Sequence, residues 1–193
     1  MHILRASDHK QMPWKNGGGV TTEIAIAPVG ADAGEFHWRV SMATVASDGP
    51  FSSFENIDRI LTVLEGAGMD LDVAGMEPTR LTAASAPFAF PGDATTSAKL
   101  VSGTIVDLNV MTRRGQWLAT VERQTVSVPC FVRSGPGVGI VFCCDGTLEL
   151  PQDATLSKHD ALFVGEADDM GTMAVGGSAD IIIIRLSQNL PVI

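Results

Sequence analysis

Apolar and polar residues alternate along this chain with a period of two, in short runs, and the 3.6-residue helical period is almost absent. In residues 36–45, Phe36, Trp38, Val40 and Met42 fall on one face, while His37, Arg39 and Ser41 fall on the other. Runs of the same kind occupy residues 21–27, 58–64, 68–73, 80–83, 88–90, 105–111, 139–144, 147–150, 161–164 and 181–186. Gly, Pro, Asp and Asn bound most of them. Residues 117–125 read equally as a strand or as irregular chain, and the single helical candidate is a turn at 52–57, after Gly49-Pro50. Ten or so short strands joined by turns predict an all-β sandwich or barrel.

The runs repeat in order. RILTVLEG (59–66), PFAFPGD (87–93) and the strand 105–111 have counterparts in GIVFCCDG (139–146), ALFVGE (161–166) and the strand 181–186. The offsets from Gly66 to Gly146, Phe90 to Phe163 and Val106 to Ile182 are about 80, 73 and 76 residues. Similar order at similar spacing predicts a duplicated β module, and each copy is so small that the two must pack together. The boundary is expected near residue 115, giving modules at 1–115 and 116–193.

Composition narrows the partners. Thirteen Lys and Arg against 22 Asp and Glu leave a net charge of −9 in 193 residues, which repels nucleic acid. Any bound anion must be drawn by locally gathered basic residues. Cys130, Cys143 and Cys144 form no disulfide framework and read as buried small hydrophobes, with no base placed to make a nucleophile of them. His9, Lys10 and Gln11 interrupt the start of the chain, and the longest apolar run, 181–184, is too short to span a membrane. The expectation is a cytoplasmic protein with no membrane partner.

The segment MPWKNGGGVTTE (12–23) is the most unusual. Three successive glycines cost conformational entropy, so Gly17, Gly18 and Gly19 suggest either a backbone nest for an anion or a flexible arm. Lys15 and Asn16 stand at its mouth, and Trp14 can wall one side. The loop lacks the Gly-Lys-Ser/Thr pattern of a nucleotide loop. Arg39, inside a strand, faces either a cavity or solvent. Arg113 ends the strand 105–111 on the same face as Asn109, and Asp58 with Arg59 opens another strand, where a local ion pair is the simple reading. An arginine fork suits a carboxylate. His2, His9, His37 and His159 are scattered without metal-ligand spacing, so neither metal nor cofactor is expected.

Taken together, WKNGGGVTTEI (14–24), FHWRVSMA (36–43), GPFSSFENIDRILTVLEG (49–66), PFAFPGD (87–93) and DLNVMTRRG (107–115) resemble the HutD/Ves family. The resemblance covers the first 115 residues, and the remainder matches only in length and β character. It implies a cupin-type fold: two cupin-like jelly-roll β-barrels in a compact bicupin. PFAFPGD looks like the Pro-x-Gly half of a cupin motif, and the metal-binding His expected after it is missing from residues 93–99. For the HutD branch the resemblance also implies a sensor or moderator of histidine utilisation. The expected function is binding of a small anionic metabolite, such as a formylated or formimino amino acid, through Trp14, Lys15, Asn16, Gly17, Gly18, Arg39, Asp58, Asn109 and Arg113. The alternative is a metal-free isomerase or hydrolase drawing its acid/base from Lys15, Glu23, His37 or Asp58. The C-terminal module, with strands apolar on both faces, is expected to be structural and suited to a homo-oligomer.

Overall fold

The structure, a computed structural model of the chain, describes all residues except 33, 133–136, 166–167, 169–171 and 190–193. The last residue of the ALFVGE run therefore lies outside the described residues. The strands are β1 (His2–Leu4), β2 (Lys10–Pro13), β3 (Gly19–Ala27), β4 (Trp38–Val45), β5 (Gly49–Pro50), β6 (Ile57–Glu65), β7 (Met69–Val73), β8 (Thr79–Leu81), β9 (Phe88–Pro91), β10 (Thr96–Leu100), β11 (Ile105–Arg113), β12 (Trp117–Val126), β13 (Cys130–Val132), β14 (Val138–Glu149), β15 (Thr155–Ser157), β16 (Ala161–Val164) and β17 (Met173–Gln188). The helical turn expected at 52–57 is not formed. Phe54 N–H donates to Gly92 and Arg114 N–H to the Asn56 carbonyl, so the segment is tied to its neighbours rather than to itself.

Two compact units result, Lys10–Trp117 and Met1–His9 with Leu118–Ile193. This corrects the expected division at 115: the boundary falls after Trp117, and the first nine residues join the second half. The physical reason is strand pairing. His2 to Leu4 pair antiparallel with Phe163 to Ala161, completing an edge of the seven-stranded sheet whose main path runs β1-β16-β14-β17-β12. Asp160 fastens the same segment. Its carboxylate, 6% exposed, accepts from Ala6 N–H at 2.8 Å, Ser157 N–H at 3.0 Å and Arg5 Nη1 at 2.8 Å. Burial works against its charge, but those donors outweigh it and hold the carboxyl below its usual range.

In this unit, the runs expected at 139–144 and 147–150 merge into one strand, β14, which ends at Glu149 and whose register against β17 shifts between Cys143 and Asp145. Gly146, at φ +79°, needs its freedom: a Cβ there would meet the Ser178 carbonyl oxygen at 2.2 Å. Val141, Cys143, Ile181 and Ile183 lie in one core cluster. Burial pushes the Cys143 and Cys144 thiols up to about 11 and about 12, so neither is a ready nucleophile.

The other unit holds a six-stranded sheet, β2-β3-β4-β11-β6-β9, and a four-stranded sheet, β5-β10-β7-β8. Val45, Leu61, Val63, Phe90 and Ile105 of the larger sheet pack with Met69, Leu71, Val73, Leu81 and Ala98 of the smaller. The two sheets therefore face each other across one apolar core.

Asp160→Ala is expected to cost about 2–3 kcal/mol, because the carboxylate holds two backbone amides and a guanidinium. Urea denaturation would measure the loss. Hydrogen exchange should show the amides of β1 opening first, since they depend on this anchor.

Candidate functional site

The inward face of the six-stranded sheet changes character along its length. Pairing sets Val45 beside Ile105 at one end, then Ala43–Asp107–Val63, then Ser41–Asn109–Leu61, then Arg39–Met111–Arg59. The alternation on each strand gives the reason: β4 presents Arg39, Ser41, Ala43 and Val45, while β11 presents Met111, Asn109, Asp107 and Ile105. Apolar ends meet the opposite sheet, and polar ends surround an open cleft of about 580 Å³. Met12, Trp14, Lys15, Asn16, Thr21 and the chain from Ser47 to Ser52 complete its walls.

Arg59 dominates the cleft. It is 5% exposed, and its guanidinium carbon lies 4.8 Å from the Phe51 ring centre, 5.1 Å from Phe90 and 5.9 Å from Phe54. Ring faces attract a cation, though less than water would, and burial lowers its pKa to about 10, with Asp107 opposing the shift. Its hydrogen bonds are long: Nε to Asn109 Oδ1 and Nη1 to the Ser52 carbonyl, both 3.4 Å. Gly92 makes room for it, because a Cβ there would stand 3.2 Å from the arginine stem and 2.9 Å from the Ile57 carbonyl.

Asp107 is 1% exposed, and its Oδ1 has no hydrogen-bond partner. Burial pushes its carboxyl up to about 7, and the Arg59 charge opposes this only in part. Arg39 differs, since its Nε donates to Glu23 Oε2 at 2.9 Å, so its charge is already matched.

Of the residues expected from sequence, Trp14, Lys15, Asn16, Arg39 and Asn109 line this cleft. Trp14 is held by its indole N–H donating to Thr21 Oγ1 at 2.8 Å. Gly17, Gly18, Asp58 and Arg113 do not line it. The Gly17 amide donates to the Trp14 carbonyl at 3.0 Å and the Gly18 amide to Asn16 Oδ1 at 3.0 Å. These amides close their own turn and offer no anion nest. Gly19 is required for contact, since a Cβ there would meet the Thr44 carbonyl at 2.4 Å. Arg113 is turned to backbone, its Nη2 donating to the carbonyls of Gly34 and Phe36. Asp58 pairs at 2.7 Å with Arg114, which also grips Asp93. The local pair expected between Asp58 and Arg59 does not form, because neighbours in a strand point to opposite faces.

The proposed acid/base candidates do not converge either. Glu23 holds Arg39, Asp58 holds Arg114, and His37 stacks on Trp117 with ring centres 6.1 Å apart; only Lys15 lines the cleft. No histidine or cysteine lines it. Among the described residues, no three His, Cys, Asp or Glu side chains gather as a metal site. Two arginines beside one unmatched carboxyl do not suit a metal cation.

Sequence reasoning missed Arg59 and Asp107 as site residues. The signal was present: Arg59 opens a run whose alternate members, Leu61 and Val63, are core, and Asp107 alternates with Asn109.

Facing antiparallel sheets with a polar cleft at one end define a cupin-like β protein. The Cupin 2 conserved barrel domain protein from Leptotrichia buccalis shares the fold, with a TM-score of 0.59 at 9% identity over 92% of this chain and 96% of that one. The chain belongs to the HutD family, whose model matches residues 6–183. Protein Ves from Citrobacter koseri is 37% identical over 147 residues, 74% of each chain. HutD from Pseudomonas fluorescens SBW25 superposes with a TM-score of 0.83 at 34% identity, covering 97% of this chain and 98% of that one. An uncharacterized 21.2 kDa protein in the hutC 3' region of Pseudomonas putida is 44% identical over 115 residues, 58% of this chain and 57% of its own length.

Folded Asp107 holds its proton up to about pH 7, whereas an unfolded aspartate releases it near 3.8. The folded state therefore binds this proton more tightly, and stability falls as pH rises from about 4 through 7. Asp107→Asn removes that loss. Calorimetry should find its melting temperature raised above the parent's at pH 8 and nearly equal at pH 4.5; an equal shift at both would contradict the assignment.

Proposed function

We propose that this chain is a binding protein, and that the cleft around Arg59 takes up a small anionic metabolite. The observation that carries this is the buried guanidinium itself. Its Nη2 makes no hydrogen bond to the described residues, its two protein bonds are long, and it lies in an open cleft. A buried charge left so lightly satisfied is costly, and an anion in the cleft would supply the missing partner. Lys15 and Asn16 at the rim add a mobile cation and an amide to the same opening.

The relatives support a particular setting. One is named for the hutC 3' region and another is HutD, its structure described as the formate condition. We read the chain accordingly as a cytoplasmic, metal-free sensor or moderator of histidine utilisation. A formylated or formimino amino acid offers both a carboxylate and a small polar end of the right size. In this reading each unit is a cupin-like jelly-roll module, so that the chain is a bicupin. The second unit is structural, because Val138 to Cys144 on β14 and Ile181 to Ile184 on β17 are buried throughout. Its partners are the metabolite and a second copy of the chain, not nucleic acid or membrane; no helix among the described residues is long and apolar enough to cross one.

A thermal-shift series with formate, acetate, N-formyl-L-glutamate and N-formimino-L-glutamate tests this, with acetamide as the uncharged control. At least one carboxylate should raise the melting temperature at millimolar concentration. Arg59→Gln should remove about 2–5 kcal/mol of that binding while near-ultraviolet circular dichroism remains native. No response to any of the four anions would overturn the proposal.

A further inference from the structure

Asp107 is the least satisfied polar group in the cleft. Its immediate neighbours across the sheet are Ala43 on β4 and Val63 on β6, whose side chains carry no hydrogen-bond donor. The next row holds neutral Ser41 and Asn109, and Asn109 Oδ1 already accepts from Arg59 Nε. One row further, Arg39 is committed to Glu23. Lys15 and Asp48 lie in exposed loops, and the Asp48 carboxylate accepts from Leu100 N–H at 2.7 Å. Thus, among the described residues, no donor reaches Oδ1, although the residue lines the cleft. A buried carboxyl oxygen without a donor is relieved in two ways: a ligand donates to it, or it carries a proton and donates instead.

Charge decides between them. An ionised Asp107 would cancel Arg59, and an anion entering the cleft would then face no net attraction and a nearby like charge. A neutral Asp107 leaves the Arg59 charge whole and adds a second donor. We propose that Asp107 binds the ligand as the neutral acid, its carboxyl O–H donating to an oxygen of the anion that Arg59 grips, so that binding takes up one proton wherever Asp107 starts ionised and none where it is already protonated. This rests on the anion reading of the cleft and adds its regulation by pH. The bond formed is O–H···O; the proton stays on Asp107 and comes from solvent when that residue starts ionised. Burial already brings its ionisation to about pH 7, so proton uptake falls in the range where a cell's pH varies. Arg39, Arg59, Lys15, Glu23 and Asp48 are the other charged groups facing this space, and no histidine or cysteine lines it.

Sodium formate is the probe, titrated into the full chain at constant ionic strength and followed by amide chemical shifts of β4, β6 and β11. Between pH 6 and 6.5 the dissociation constant should be nearly flat, and between pH 7.5 and 8.5 it should rise about tenfold. Asp107→Asn keeps a donor but cannot titrate. It should bind formate at pH 6 within about threefold of the parent and keep that affinity to pH 8.5. A parent affinity constant from pH 6 to 8.5 would overturn the proposal, as would a variant that retains the fall. Should the variant not fold, the parent's pH profile decides alone. Absence of formate binding at every pH would overturn this proposal, absence of a response to all four carboxylates would overturn the anion reading with it, and binding with a flat profile would overturn only this one.

Discussion

The Lys10–Trp117 unit is organised around the cost of holding the Arg59 charge between two β-sheets. A guanidinium removed from water loses far more hydration energy than one or two long hydrogen bonds return. The sequence answers with ring faces. Phe90 comes from the paired strand β9 and Phe51 and Phe54 from the chain before β6, so the path of residues 50–56 is set by the need to cover this one side chain. Each ring contributes about 0.5–2 kcal/mol of cation–π attraction. That is enough to fix the guanidinium in position and too little to replace water fully. The remaining deficit is the observation on which the proposed anion site rests.

The same face of the sheet serves as core and as cleft because its polarity is graded. Val45, Ile105 and Val63 meet the smaller sheet, while two pleats away Ser41 and Asn109 meet the opening. Asp107 falls between the two regimes. It is deep enough to lose its solvent and near enough to the opening to matter to whatever enters. Placing an acid at this boundary weakens the fold above neutrality, and the proposed ligand chemistry would give that cost a use.

Much of the fold was legible because strand alternation is local. Residues 58–64, 105–111 and 161–164 read as strands and are strands, the run expected at 36–45 forms from Trp38 onward, and Arg39, which alternation left open between a cavity and solvent, lines the cleft. What alternation does not contain is register. Arg39 lies opposite Met111, and Arg113 lies beyond, where β11 ends and its side chain turns to the carbonyls of Gly34 and Phe36. Arg59, opposite Met111 from the other side, is therefore the arginine that shares the cleft with Arg39. The short strands β1 and β5 escaped notice for a related reason: they are held by pairing with distant segments and carry no pattern of their own. The glycine run misled differently. Its amides were countable from sequence, but their use inside the Trp14–Gly19 turn depends on a fold not visible there.

The Pro-x-Gly segment shows how one scaffold position can be given new chemistry. In PFAFPGD, Phe90 stacks on Arg59, Gly92 leaves space for its stem, and Asp93 draws Arg114 to the outer side. Phe90 and Gly92 thereby help to seat one cation that belongs to the protein, and Asp93 pairs with another. A guanidinium has fixed N–H directions and a permanent charge. It can orient a carboxylate reversibly, and it leaves the proton to be managed by a neighbour. In the proposed reading the neighbour is Asp107, and the two buried groups divide the work: Arg59 supplies the attraction, and the protonation state of Asp107 decides how much of it an anion feels.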